Sequence, residues 1–251
     1  MRRIQLALLA AGALAAAACD DDETGPDGRS EVTLSVTTAP AAAPGLTLDE
    51  TITVGDDVLV LESVQLVLRE IEFERSESST DCDEVQGDDD DCEELEVGPL
   101  LLDVPLGTGI AQELTVVVDT GHYDELEFEI HKPEDDGDDP DAAFIAAHPE
   151  FENVSIRVTG TFNGTPFTYE TDLNVEQEHE LSPPLIVAES GSVNVTLLVD
   201  VSTWFLDAAG TTLVNPATAN SGGLNESLVE DNIEQSIQAF EDDDSDGVED
   251  D

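Results

Sequence analysis

Positive charge is almost missing from this chain. Lys and Arg together number 7 against 60 Asp and Glu in 251 residues, a net charge of −53. After residue 18 the only cations are Arg29, Arg69, Arg75, Lys132 and Arg157. Such a surface repels nucleic acid and anionic headgroups, which argues against a nucleic-acid role, and it attracts cations. Aromatic residues are scarce at 4%, with one Trp and two Tyr, so a folded core has to be aliphatic. The apolar run at residues 4–18, broken by Gln5, is too short to span a bilayer core of about 30 Å, which needs about 20 residues as a helix. No G-x-S-x-G, H-E-x-x-H or phosphate-binding glycine loop occurs. Carboxylates are so abundant that two of them lying together carry no catalytic meaning.

Cysteine is limited to three residues, Cys19, Cys82 and Cys92. Arg2 and Arg3, the apolar run and the small residues Ala16, Ala17 and Ala18 describe an export signal ending on Cys19. The stretch LAAAAC resembles the lipobox of bacterial lipoproteins, with Ala16 where that pattern usually has leucine. The resemblance implies a diacylated Cys19 as first residue of the mature chain. Two or more acyl chains give stable membrane anchoring where one is marginal. Asp20, Asp21, Asp22 and Glu23 follow at once. An acidic run here resembles a surface-export signal in some bacteria and an inner-membrane retention signal in enterobacteria. The expected location is the cell envelope, at the outer membrane or cell surface rather than the inner membrane. Cys82 and Cys92 lie in one acidic loop of an exported chain, which predicts a disulfide.

The acids are unevenly placed. Four clusters, at 20–23, 77–96, 134–141 and 241–251, hold 29 of the 60. Between them lie segments rich in Val, Leu, Ile and Thr, a pattern of acidic loops on a folded apolar framework. Val32, Leu34 and Val36 alternate with polar residues as a first strand. Gly55-Asp56-Asp57 separates two strands as a hairpin turn. Over residues 63–75 the apolar phase slips: Val64, Leu66 and Leu68 share one face, Ile71 and Phe73 the other. A bulge at Arg69-Glu70, or a strand passing between sheets, restores the burial. Residues 100–104, 114–118, 126–130 and 193–201 read as further strands. The clearest hairpin is 154–175. Its Asn163-Gly164 turn sets Phe167 opposite Gly160 and Tyr169 opposite Val158.

One segment reads as a helix, capped by Asn225, with Leu228, Val229, Ile233, Ile237 and Phe240 as its apolar stripe. The expected fold is an all-β antiparallel sandwich of roughly ten strands with one C-terminal helix, either one sandwich or two packed sub-sandwiches. The organisation expected is a signal peptide at 1–18, an acidic tether at 19–31, a sandwich at 32–131 and an acidic loop at 132–150. Completing hairpins follow at 151–206, a loop and helix at 207–240, and an acidic tail at 241–251.

The segments TLSVTTAP, VQLVLREIEFER, LLLDVPLG and GHYDELEFEI together resemble a family of bacterial lipoproteins of unknown function, over residues 31–131. That resemblance implies an immunoglobulin-like or transthyretin-like sandwich behind the lipid anchor, and it transfers no catalytic residue.

Asp242-Asp243-Asp244-Ser245-Asp246-Gly247 fits D-x-D-x-D-G. Aspartates at alternate positions of a turning loop converge on one point, and calcium takes six to eight oxygens at about 2.3–2.6 Å. Asp242, Asp244, Asp246 and Asp250 are the candidate ligands and calcium is the expected ion; the other reading is a solvated acidic tail. Asp88, Asp89, Asp90 and Asp91 form a second, irregular cluster. His122, His131, His148 and His179 are scattered and read as surface residues. The function expected is a lipid-anchored envelope protein with a non-enzymatic binding or structural role. Its partners would be the membrane through Cys19, divalent cations, and a protein or glycan. The alternatives are a calcium-assisted carbohydrate- or protein-binding adhesin component and a carboxylate-dependent hydrolase.

Overall fold

The computed structural model describes residues 28–38, 50–75, 94–95, 98–107, 110–135, 140–189 and 192–249. Cys19, Cys82, Cys92, Asp88 to Asp91 and Asp250 lie outside them. In chain order the described strands begin with β1 (Arg29–Thr38), β2 (Glu50–Val54), β3 (Asp57–Arg75) and the two-residue β4 (Glu94–Leu95). Next come β5 (Leu100–Asp103), β6 (Ile110–Asp119), β7 (Gly121–Ile130), helix α1 (Asp141–Ala147), β8 (Ile156–Phe162) and β9 (Thr165–Thr171). The chain continues with β10 (Val175–Val187), β11 (Ser192–Val199), helix α2 (Glu226–Glu234) and β12 (Ile237–Glu241). One sheet has the order β12-β11-β1-β6; the other runs β10-β7-β3-β8-β9, with β2, β4 and β5 also paired to β3. A single apolar cluster joins the sheets, drawing Val32, Leu34 and Val36 from β1, Val195 and Leu197 from β11, and Leu66 and Leu68 from β3. The all-β sandwich expected from the sequence is present. Its pairing is antiparallel with one correction: β1 and β11 run parallel.

Strand β3 organises the larger sheet. Its nineteen residues pair along one edge with β8 over Leu59 to Leu66 and then with β7 from Leu68 onward. Along the other edge lie β2, β5 and β4 in turn. The handover from β8 to β7 falls on Val67, whose N–H donates to Ser155 O and whose carbonyl accepts from His131 N–H. The phase slip read at Arg69-Glu70 is a bulge. The β3–β7 register shifts between Arg69 and Glu72, and Glu70 has φ +52°. One extra residue flips the alternation, so Ile71 and Phe73 rejoin Leu68 in the core. Val67 points to the opposite face, where Phe144 of α1 and Phe151 bury it in a small second core.

The hairpin of β8 and β9 has the register its sequence predicts: Phe162 opposite Thr165, Gly160 opposite Phe167 and Val158 opposite Tyr169. Asn163 and Gly164 both take positive φ, 51° and 76°, as a two-residue turn of this kind requires.

Four expectations are corrected. The C-terminal helix ends at Glu234, and Ile237 and Phe240 belong to β12; their helical spacing is coincidental, since Ile237 pairs with Val199 and Phe240 with Thr196. Asn225 does not cap α2 through its side chain; its amide donates to Thr218 Oγ1 at 2.8 Å. The predicted acidic loop at 132–150 contains α1, seven residues held by one buried aromatic, Phe144. The first strand starts before Val32, at Arg29.

A Cβ on Gly160 would meet the carbonyl oxygen of Val60 at 2.0 Å, because β8 crosses β3 closely beside the shift at Leu61 and Ser63. Gly160→Ala is therefore expected to lower stability by about 3 kcal/mol through overpacking against backbone, read from the midpoint of urea denaturation.

Candidate cation-binding sites

The C-terminal turn is docked, not free. Asp242 is fully buried and extends the ladder past β12 by donating its N–H to Asn194 O at 2.9 Å. Its Oδ2 accepts from Thr196 Oγ1 at 2.7 Å and Gly247 N–H at 3.0 Å, and its Oδ1 from Asp246 N–H at 2.9 Å. Asn194 completes the network, donating to Thr196 Oγ1 and to Asp242 O while accepting from Ser35 Oγ at 2.6 Å. The loop thus turns over a polar cluster on the outer face of the smaller sheet. Ser245 and Gly247 take positive φ, 54° and 81°, and the turn brings Asp242, Asp244 and Asp246 within 4.8 Å of one another. Those are three of the four carboxylates singled out in the sequence. They could hold a hard cation through oxygen, with Asp242 fixed and the two others exposed. A reading of 241–249 as a loose acidic tail is corrected by the burial of Asp242.

Strands β3, β7 and β10 build a second acidic surface. Across the three strands Glu74, Glu125 and Glu180 lie in one row, Glu72, Glu127 and Glu178 in the next, and Arg69, Glu129 and Glu176 in the third. The result is a grid of eight glutamates and one arginine on the solvent side of the sheet. Like charges directly opposite each other destabilise a sheet. Arg69 answers the corner of the grid, its Nη2 2.5 Å from Glu70 Oε1 and its Nε 3.4 Å from Glu129 Oε2. A cleft of about 340 Å³ opens there, lined by Glu70, Glu72, Glu127, Glu129, Asn174 and Glu176. Glu127 relieves the repulsion by sharing a proton. A hydrogen bond to Glu176, then partial burial, then the charges of Glu176, Glu74 and Glu72, push its carboxyl up to about 8. Partial burial and the charges of Glu74 and Glu178 also raise Glu125. Glu127, Glu176 and Glu178 are a second set able to hold a metal ion. A third, Asp172, Glu226 and Glu230, lies between the end of β9 and α2.

The histidines are less superficial than their scatter suggests. His131 is buried, with Nε2 2.9 Å from both oxygens of the buried Asp141 and Nδ1 3.3 Å from Glu129 Oε2. Asp141 Oδ2 also accepts from Glu134 N–H at 2.9 Å, so the pair closes the turn into α1 beside the Val67 handover. His179 is half-buried, stacked on Phe128 at 5.4 Å, and burial lowers its pKa. His148 packs its ring on Phe144 at 4.9 Å; only His122 is exposed. Sequence reasoning missed the grid, because the third strand, β10, was not recognised. The signal was there as Glu176, Glu178 and Glu180.

No family model matches the chain, and no curated protein and no solved structure is detectably similar to it. Among the described residues no helix is long and apolar enough to cross a membrane.

The glutamate grid makes stability depend on pH. Folded Glu127 holds its proton up to about pH 8, whereas the unfolded chain releases it near 4.5. The folded state therefore binds more protons within that window, and stability falls as pH rises through it. Melting temperature is expected to be higher near pH 5 than near pH 8. Glu127→Gln, neutral throughout, should raise the value at the higher pH and flatten the profile, measured by circular dichroism in low salt.

Proposed function

We propose that this protein is a lipid-anchored β-sandwich of the bacterial cell envelope with a non-enzymatic binding or structural role, and that it works with calcium bound at the 242–247 turn. The sandwich would be of the immunoglobulin-like or transthyretin-like kind that the lipoprotein resemblance implies. The observation that carries the calcium reading is the meeting of Asp242, Asp244 and Asp246 within 4.8 Å on a loop pinned to a sheet. Calcium favours flexible, oxygen-rich shells, and a backbone that already turns around one carboxylate lowers the ordering cost of adding an ion. The scarcity of Lys and Arg supports the same reading, since divalent ions offer a compact way to neutralise acids that lack basic partners. The anchor rests on Ala16, Ala17, Ala18 and Cys19.

Two measurements test these parts separately. Calcium titration of the protein by calorimetry should show a site of about millimolar affinity that disappears on Asp244→Asn with Asp246→Asn; identical titrations end the calcium reading. Cys19→Ser should move the protein from the membrane to the soluble fraction. Continued sedimentation with membranes ends the anchor reading.

A further inference from the structure

A separate acidic site lies where α2 approaches the end of β9. Glu226 and Glu230 stand one turn apart on the helix, and Asp172 directly follows the strand; their carboxylate oxygens lie within 4.8 Å of one another. Asp172 is exposed and the two glutamates are half-buried. Like charges at i and i+4 destabilise a helix, and a third acid adds to the repulsion. Among the described residues none of the three is ion-paired to an Arg or Lys. Lys132 is within electrostatic reach of Asp172, but its ammonium is 2.7 Å from Glu134 Oε1.

A second observation sits beneath the carboxylates. Tyr169 of β9 is fully buried, its ring edge-on to Phe205 at 5.2 Å and 90°. Its hydroxyl oxygen is buried and makes no hydrogen bond. The neighbouring Thr171 hydroxyl donates to Glu230 Oε1 instead. Burial does most to keep the phenol protonated; the nearby Thr171 side chain works against it, and the charges of Glu230, Glu226 and Asp172 add to the rise. The hydroxyl therefore lies in the field of the acidic cluster with a proton to give and no well-formed hydrogen bond to give it to. A buried donor left in that condition costs free energy.

We propose that Asp172, Glu226 and Glu230 hold one divalent cation of the calcium class, and that Tyr169 donates to a water in its shell. The three carboxylates supply the charged oxygens, and solvent at the exposed Asp172 side supplies the rest of the six to eight that calcium takes. The ion cancels the helical repulsion and completes the hydrogen bonding of Tyr169. It also fastens α2 to the β9–β10 connection. Tyr169 is a positioning residue here, acting through the water.

The test is calorimetric titration with calcium chloride of the full chain carrying Asp244→Asn and Asp246→Asn, which silence the C-terminal turn. Adding Glu226→Gln and Glu230→Gln should abolish one equivalent of the remaining binding. Asp172→Asn should do the same at an exposed position that leaves the fold alone. Tyr169→Phe, which keeps the buried ring, should weaken the binding about tenfold, as loss of an outer-shell partner does. In chelator the double-glutamine protein should melt above its parent, because the repulsion is gone, and in excess calcium below it. A calcium isotherm unchanged by Asp172→Asn, or by the glutamine pair in a chain with native circular dichroism, overturns the site. An isotherm unchanged by Tyr169→Phe overturns the tyrosine's part. The background variants lack the Asp244 and Asp246 carboxylates, so this site and the calcium reading of that turn fail separately.

Discussion

The constraint on which the structure rests is that a long strand in the middle of a sheet must find hydrogen-bond partners along both edges. Backbone groups buried without partners are costly, and β3 is longer than every strand beside it. On one edge β2, β5 and β4 share its length; on the other β8 and β7 do. The chain has to return five times, and each return must begin where the previous one stops. Val67 shows how tight the joint is, since its N–H goes to Ser155 and its carbonyl takes the N–H of His131. The face above that joint is closed by Phe144 and Phe151. The buried His131–Asp141 pair holds the segment that carries Phe144.

The bulge in β3 decides where the acids go. Without the extra residue at Arg69-Glu70, the alternation that buries Leu68 would bury Glu72 and Glu74 and expose Ile71 and Phe73. With it, the glutamates of three strands fall on the solvent side and line up across the sheet. The few other cations each stand beside an acid: Arg29 and Arg75 at Asp119, Arg157 at Glu170, Lys132 at Glu134. Arg69 alone stands in the grid. The rest of that surface depends on shared protons, as at Glu127, and on ions from solution, whose screening is strongest between exposed charges.

What the sequence could reveal was whatever short-range periodicity determines. The β8–β9 register follows from Asn163-Gly164 and the alternation around it, and the β3 bulge from a change of phase within one strand. Other features depend on distant partners. β10 was hidden because Gln177 and His179 hold core-side positions, with Pro183 and Pro184 following; prolines are tolerated there because β10 is an edge strand. The burial of Asp242 needs Asn194 and Thr196, 48 and 46 residues earlier, so an acidic run at the chain's end looked like a tail. Helix α1 is too short for a 3.6-residue period to show. Ile237 and Phe240 fell on a helical stripe by chance, and only the ladder to β11 assigns them to a strand.

The parallel pair β1 and β11 has a temporal consequence. Glu31 aligns with Ser192 and Thr38 with Val199, and β12 closes the same sheet only from residue 237. β1 is thus made well before β11 and β12, and pairs with β6 while those partners are still to come. Contacts of such sequence separation close slowly. Until they do, one edge of β1 is an open template for any passing strand. The chain is vulnerable until β11 has docked, and the acids that crowd its surface keep its copies apart during that interval.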